Sequence, residues 1–335
     1  SNVFCTNEVR ATKGCTICKI IKFHKPKYII LENVRNIVSH DKGYTWNKIK
    51  KELKNLNYNI YDKPLILNTL YFEIPQSRER LIILCKRKDL GNLPEYPIIN
   101  KKIIKKTSLE KIIEKNNVDE KYKIKNKLKV CENVWNEFLN ICNQNNIDIP
   151  NFPIWTDWWD SDGNNTSITK YNNKLSEEEN KKLIKQKQTN FYIKYKKIID
   201  KNRIFYQKHE DFFKNWLINS RKNKLWLGCV RKMEWQTGKN NLTMNDVLWS
   251  TRGSGIRIKN IDYTPTLVTM ISMVPIYGPE SRFLTPREYA RLQCFPENFI
   301  LHKNDKISYK QFGNAVNVKM IEKCALFLIK NQKLN

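Results

Sequence analysis

Three stretches of the chain gather side chains able to do chemistry. In the first, Glu32 and Asn33 follow directly on the apolar run 27–31 (KYIIL). A run of that length, bounded by polar residues, has the character of a strand buried in a parallel sheet. Ligand sites in open α/β sheets lie beyond the carboxyl ends of such strands, so Glu32 stands where a carboxyl can pass a proton to a ligand. In the second, Arg78 and Arg80 alternate along 74–80 (IPQSRER), and two guanidinium groups there suit an anion or a neighbouring carboxylate. The third is 249–259 (WSTRGSGIRIK). Its glycines allow backbone to approach a duplex closely, and Arg252 and Arg257 carry the fork that pairs bidentately with guanine. Each stretch also has a plainer reading. A Glu after a strand commonly caps a helix, an Arg-Glu-Arg run commonly salt-bridges on a surface, and a Gly-Arg loop can be structural. Cys15 and Cys18 form a lone CxxC with only four His in the chain, which reads as a helix face rather than a metal site.

The elements around these residues follow from apolar periodicity. Residues 15–24 read as a short helix ending before Pro26, and 44–56 as an amphipathic helix with Trp46, Ile49, Leu53 and Leu56 at helical spacing. Strands are expected near 58–67 and 80–86. Trp155, Trp158 and Trp159 read as a core cluster, with base stacking as the alternative. Residues 163–190 read as a polar exposed insertion, and 191–236 interleave aromatic with basic residues. Thr285-Pro286 opens a helix over 286–293, Thr as cap and Pro at the first helical position. The last helix covers about 315–330, with Val316, Met320, Cys324 and Leu328 on one face.

Composition narrows the class. Lys and Arg number 61 against 33 Asp and Glu, a net charge of +28, which predicts attraction to a polyanion, nucleic acid first. An AT-rich coding sequence would also inflate Lys, Asn and Ile. No run of about 18 apolar residues suggests a membrane span. The nine cysteines are irregularly spaced, as reduced thiols in a cytoplasmic setting would be.

Four segments, in order, resemble the cytosine-5 DNA methyltransferases of restriction-modification systems. Pro26–Val34 is similar to that family's strand ending in Glu-Asn-Val, and Gln76–Arg80 to its Gln-x-Arg-x-Arg motif. Arg282–Pro296 is similar to its Arg-x-Leu-Thr-Pro-Arg-Glu segment, and Gln311–Val316 to its closing Gly-Asn-Ser/Ala-Val motif. The resemblance implies an α/β fold: the C-terminal portion of a Rossmann-like S-adenosylmethionine-dependent methyltransferase with a large α+β target-recognition region inserted. The expected division is 1–90 partial catalytic domain, 91–280 target-recognition region and 281–335 return segment.

The chemistry fits these residues. C5 of cytosine is a poor nucleophile. A thiolate adding at C6 makes the ring an enamine-like species able to accept a methyl group, and donors at N3 and O2 must neutralise the charge that builds. Glu32, protonated, is the expected donor to N3, its acidity weakened by burial at the strand end. One of Arg78 and Arg80 is expected at O2, while the other holds phosphate or pairs with Glu32. Asn33 is expected to fix its loop. The resemblance implies that Asn314 and Val316 border the S-adenosylmethionine pocket. Arg252 and Arg257, with Thr266 and Leu267 of a Thr-Leu element at 265–268, are the expected contacts to duplex DNA.

Two family motifs are not among the 335 residues: the Phe-x-Gly-x-Gly cofactor loop and Pro-Cys-Gln, which carries the nucleophile. Thr12-Lys13-Gly14 resembles the short motif that follows Pro-Cys-Gln. Cys5 lacks the flanking Pro and Gln and stands too near Glu32 to replace it. The expectation is therefore a chain inactive alone, with an incomplete cofactor pocket: either a second polypeptide bears the N-terminal half, or the chain is a truncated or decayed remnant. A strand at 27–31 without its second neighbour and a last helix without the cofactor loop beside it would leave apolar surface uncovered. The alternative is a catalytically inactive DNA-binding or scaffold protein on the same fold.

Overall fold

The apolar run that ends at Glu32 is a strand, but its neighbour runs the other way. In this computed structural model, which describes residues 16–99, 107–115, 118–159, 176–222, 228–239 and 241–334, the chain divides into two compact units. The first comprises the described residues of Ser1–Ile113, Asp262–Thr269 and Pro286–Asn335, and the second those of Glu114–Ile261 and Met270–Thr285. These divisions differ from the sequence boundaries after 90 and 280. Cys5, Thr12–Gly14, Cys15 and residues 163–175 of the expected insertion lie outside the described residues.

The first unit begins with helix α1 (Thr16–His24), strand β1 (Tyr28–Val34), helix α2 (Tyr44–Asn55) and strands β2 (Tyr58–Ile60), β3 (Leu65–Asn68) and β4 (Glu79–Arg87). The second unit holds α3 (Lys127–Gln144), β5 (Ile154–Trp155), α4 (Glu177–Lys208), α5 (Glu210–Lys222) and the short α6 (Gly228–Arg231). It continues with β6 (Lys232–Gln236), β7 (Val247–Arg252), β8 (Gly255–Asn260), β9 (Ile276–Tyr277) and β10 (Arg282–Phe283). The first unit then resumes with α7 (Pro286–Leu292), α8 (Asp305–Asn314) and α9 (Val318–Lys330).

In the first unit β1, β2 and β3 all pair antiparallel with β4. The expectation of a central, doubly buried strand in a parallel sheet is corrected accordingly: β4 holds the centre, and β1 has a ladder on one edge only among the described residues. The reason is visible in the side chains. Residues 80–85 of β4 are buried without a break, whereas Ile29 is the one buried residue of β1. Leu81, Ile83 and Cys85 face α2 through Trp46, Ile49 and Leu53, as the helical spacing anticipated. Ile82 and Leu84 face Met320, Cys324, Phe327 and Leu328 of α9. The apolar face of α9 is thus covered by the sheet itself, contrary to the expectation of an uncovered helix. The expected strand over 58–67 is two strands, because 61–64 (YDKP) turns between them and Pro64 lacks the N–H a ladder needs.

In the second unit the strands run β10-β9-β7-β8-β6-β5, antiparallel except for β6 beside β8. One sheet face carries Met233, Trp235, Trp249, Ile256, Ile258 and Ile276 into a core shared with Trp135 and Phe138 of α3 and Phe213 and Trp216 of α5. Trp159 stacks on Tyr206 at 5.1 Å and Trp158 is buried, so the tryptophan cluster is core rather than a platform for bases. Trp155 is half-buried, edge-on to Tyr195. Among the described residues no helix is long and apolar enough to cross a membrane.

Candidate active site

Glu32 lies opposite Ile82 in the β1–β4 ladder, two residues along from Arg80. Side chains alternate across a strand, so Glu32 and Arg80 share a face. Arg80 Nε donates to Glu32 Oε1 at 2.7 Å, with both side chains largely withdrawn from water. Burial lowers the Arg80 guanidinium below its ordinary range, and Glu32 opposes that shift. Here the carboxyl is an acceptor. The Asn33 side chain accepts from the backbone N–H of Val34, its neighbour in β1, at 2.8 Å.

Arg78 goes elsewhere. It is 3% exposed, and its guanidinium donates to the carbonyls of Leu267, Gly313 and Ala315. Burial, then Arg80, pushes it down to about 10, while Glu32 opposes them. Its Nη donors thus go to backbone, which leaves Arg80 as the arginine beside Glu32. The segment 262–269 runs along Pro75–Ser77: Ser77 N–H donates to Thr264 O and Thr264 N–H to Pro75 O. Thr266 donates its hydroxyl to Ser77 O at 2.8 Å, and Leu267 is 2% exposed. The expectation that Thr266 and Leu267 touch DNA meets a simple obstacle, since one hydroxyl is engaged and the other side chain is inside. Gly313 belongs to this staple. A Cβ there would come within 2.9 Å of the Val268 carbonyl carbon, so the glycine of the closing motif is required by close backbone approach.

A cavity of about 380 Å³ opens beside β1, lined mainly by aliphatic side chains, among them Ile17, Ile30 and Ile321, together with Glu32, Asn33 and Val316. Its apolar walls suit the adenosyl part of S-adenosylmethionine, and Val316 is among the residues that form them. Among the described lining residues there is no cation for the cofactor's carboxylate. Asn314 is exposed at the end of α8 and does not line the cavity. Its neighbour Asn317, buried, was not anticipated. It caps α9 by accepting from Met320 N–H at 3.0 Å and donates to Leu292 O. An Asn just before an apolar-periodic run was the available signal.

In the second unit Arg257 and Arg252 lie on the sheet face opposite the core. Arg257 sits across from Glu234 on one side and Ser250 on the other, and Arg252 across from Gly255. Arg257 Nε donates to Glu234 Oε2 at 2.7 Å, and Lys232 Nζ to Glu234 Oε1 at 2.7 Å. Arg252 Nη1 lies 3.0 Å from Met273 Sδ. Burial, then Arg257, lowers both Arg252 and Lys259. Glu234 was also missed by sequence reading; the alternation of 232–236 (KMEWQ) was its signal.

The chain is similar to several known proteins. Type II methyltransferase M.BanI of Aneurinibacillus aneurinilyticus is 28% identical over 97% of this chain and 76% of its own length. Type II methyltransferase M.HgiCI of Herpetosiphon aurantiacus is 26% identical over 98% of this chain and 78% of its own. The solved Dnmt2 methyltransferase of S. pombe is 16% identical with a TM-score of 0.38, covering 91% of this chain, which spans 66% of that protein. The family description that matches residues 7–330 is the C-5 cytosine-specific DNA methylase. With that match across nearly its whole length, the chain belongs to the C-5 cytosine-specific DNA methylase family.

Proposed function

We propose that this chain takes part in transfer of a methyl group from S-adenosylmethionine to C5 of cytosine in duplex DNA, within a restriction-modification system. The observation that carries the proposal is the Glu32–Arg80 pair, held at 2.7 Å on one sheet face beside an apolar cavity. Glu32, protonated, donates to ring N3. Arg80, already aligned by Glu32, gives a hydrogen bond to O2, where charge builds as C6 is attacked. Arg78 acts at one remove, fixing the turn that carries Val316. Val316 and the aliphatic walls hold the adenosyl group of S-adenosylmethionine, which when bound supplies the methyl carbon. Arg252 and Arg257 contact the duplex. The Pro-Cys-Gln thiol and the cofactor loop come from polypeptide outside these 335 residues, either continuous with them or a second chain.

The test is methyl incorporation from labelled S-adenosylmethionine into cytosine-containing duplex, with these residues and a polypeptide carrying the cofactor loop and Pro-Cys-Gln present together. Glu32→Gln should lower the rate by about 10²-fold or more, the scale of general acid catalysis, while DNA affinity changes little. Equal rates for Glu32→Gln and the parent would remove Glu32 from the mechanism. Transfer by the 335 residues alone, abolished by Cys5→Ser, would place the nucleophile at Cys5 and overturn the outside supply. DNA binding without transfer in any combination would favour the scaffold reading.

A further inference from the structure

Of the charged side chains on the polar sheet face of the second unit, the carboxylate is the most constrained. Lys232, Glu234, Arg252, Arg257 and Lys259 share this face by strand register, so four cations surround one anion. Both oxygens of Glu234 are engaged, one by Lys232 and one by Arg257. The Glu234 and Lys232 side chains are 15% and 13% exposed, and that of Arg257 is 35% exposed. Burial alone would raise the Glu234 carboxyl, but the hydrogen bonds and charges of Lys232 and Arg257 outweigh it and hold it below the ordinary glutamate range. Gly255 lets this cluster form. A Cβ there would stand 2.1 Å from the Lys232 carbonyl oxygen, so without the glycine β8 could not lie this close to β6.

This arrangement has a directional consequence. An arginine has five donors in a planar fork. With Nε bound by a recessed carboxylate, the plane is set, and among the described residues the terminal Nη1 and Nη2 edge is left for an outside acceptor. That edge matches the paired O6 and N7 acceptors of guanine in the major groove. The carboxylate also cancels one of the charges that would otherwise bind any phosphate. We infer that Glu234 is a positioning residue for sequence discrimination, orienting Arg257 toward guanine and restraining non-specific attraction. The inference rests on the proposal that Arg257 contacts DNA.

The experiment measures, for the full chain and its variants, binding to a pool of randomised duplexes, then affinity for the preferred duplex and for a scrambled one over a range of salt. Arg257→Ala should lose the preference for a G·C pair at one position, by about tenfold. Glu234→Gln should lose preference at that same position while binding to the scrambled duplex rises and its salt dependence steepens by about one phosphate contact. A purely structural role would weaken both duplexes together and would not steepen the salt slope. Should Glu234→Gln lower the melting temperature into the assay range, Glu234→Asp serves instead, since it keeps the charge but is too short to hold both cations. It should retain part of the preference. Loss of preference in Arg257→Ala with full preference in the Glu234 variants would overturn the role of Glu234 and leave Arg257 as a base contact. Full preference in Arg257→Ala would overturn the Arg257 reading itself.

Discussion

Two glycines of one hairpin should respond very differently to the same substitution. In Gly255→Ala the new methyl group would meet Lys232 O at 2.1 Å, Lys232 Cβ at 2.6 Å and Lys232 C at 2.8 Å. Two of these three atoms are backbone within a parallel strand pair, so they cannot rotate away. Gly255 also has φ +154°, which L side chains rarely adopt. Overpacking of this kind costs about 1–3 kcal/mol, and backbone strain adds about 1–3 kcal/mol. If the pair relaxes partly by separating, a net loss of about 3 kcal/mol is reasonable, and in a unit of this size that lowers Tm by about 6–12 °C. Gly253, two residues earlier, has nothing within 4 Å of an added Cβ. Gly253→Ala should change stability by less than about 1 kcal/mol, since the main effect there is on the unfolded chain. The assay is calorimetric melting of both variants beside the parent, with duplex binding measured well below the lower Tm. Gly255→Ala should also bind its preferred duplex less selectively, because β8 must move away from Glu234 to make room. Equal melting temperatures for the two variants would refute the close-approach argument and, with it, the account of how the Lys232–Glu234–Arg257 cluster is assembled.

Three further outcomes are expected. Arg78→Lys should destabilise the first unit by about 2–4 kcal/mol, because one ammonium cannot serve the carbonyls of Leu267, Gly313 and Ala315 together; an unchanged urea midpoint would show that these contacts do not matter. Cys85, Cys142 and Cys324, each raised to about 12 by burial, should resist alkylation at pH 8 until denaturant is added, whereas half-exposed Cys18 should react in the folded chain; peptide mass mapping distinguishes them. Glu234 is held below its ordinary value of 4.5 in the folded state, so its contribution to stability is present above that value and lost as pH falls from there through the depressed one. Glu234→Gln should therefore flatten the acid limb of the stability–pH curve, and identical acid limbs would count against the ion cluster.

Much of the site was legible because its residues are close in sequence to the elements that carry them. Glu32 follows the visible apolar run within its strand, and Arg80 lies near the start of the next long strand. The helix spacing of Trp46, Ile49 and Leu53 likewise identified the buried face of α2. What stayed hidden depends on pairing between distant segments. A short apolar run has the same appearance at the edge of an antiparallel sheet as at the centre of a parallel one, so the roles of β1 and β4 were exchanged. The contact of Glu234 with Arg257 arises from the parallel pairing of β6 with β8, which no local pattern announces.

Arg78 and Arg80 show the same limit at the scale of one side chain. They are two residues apart on an extended segment, equally basic, and equally suited by type to meet a substrate. Arg80 has a carboxylate on its own sheet face, so its Nε is taken and its orientation set. Arg78 precedes the strand, where the 262–269 segment and the Gly313–Ala315 turn bring three carbonyls around it. Those acceptors need donors once they are out of water, and an arginine can serve all of them. Leu267 follows from the same packing: its carbonyl accepts from Arg78 because its side chain is inside. Residue type reveals how many donors a guanidinium has. Whether they go to a base, a carboxylate or backbone is decided by which distant carbonyls the fold strips of water.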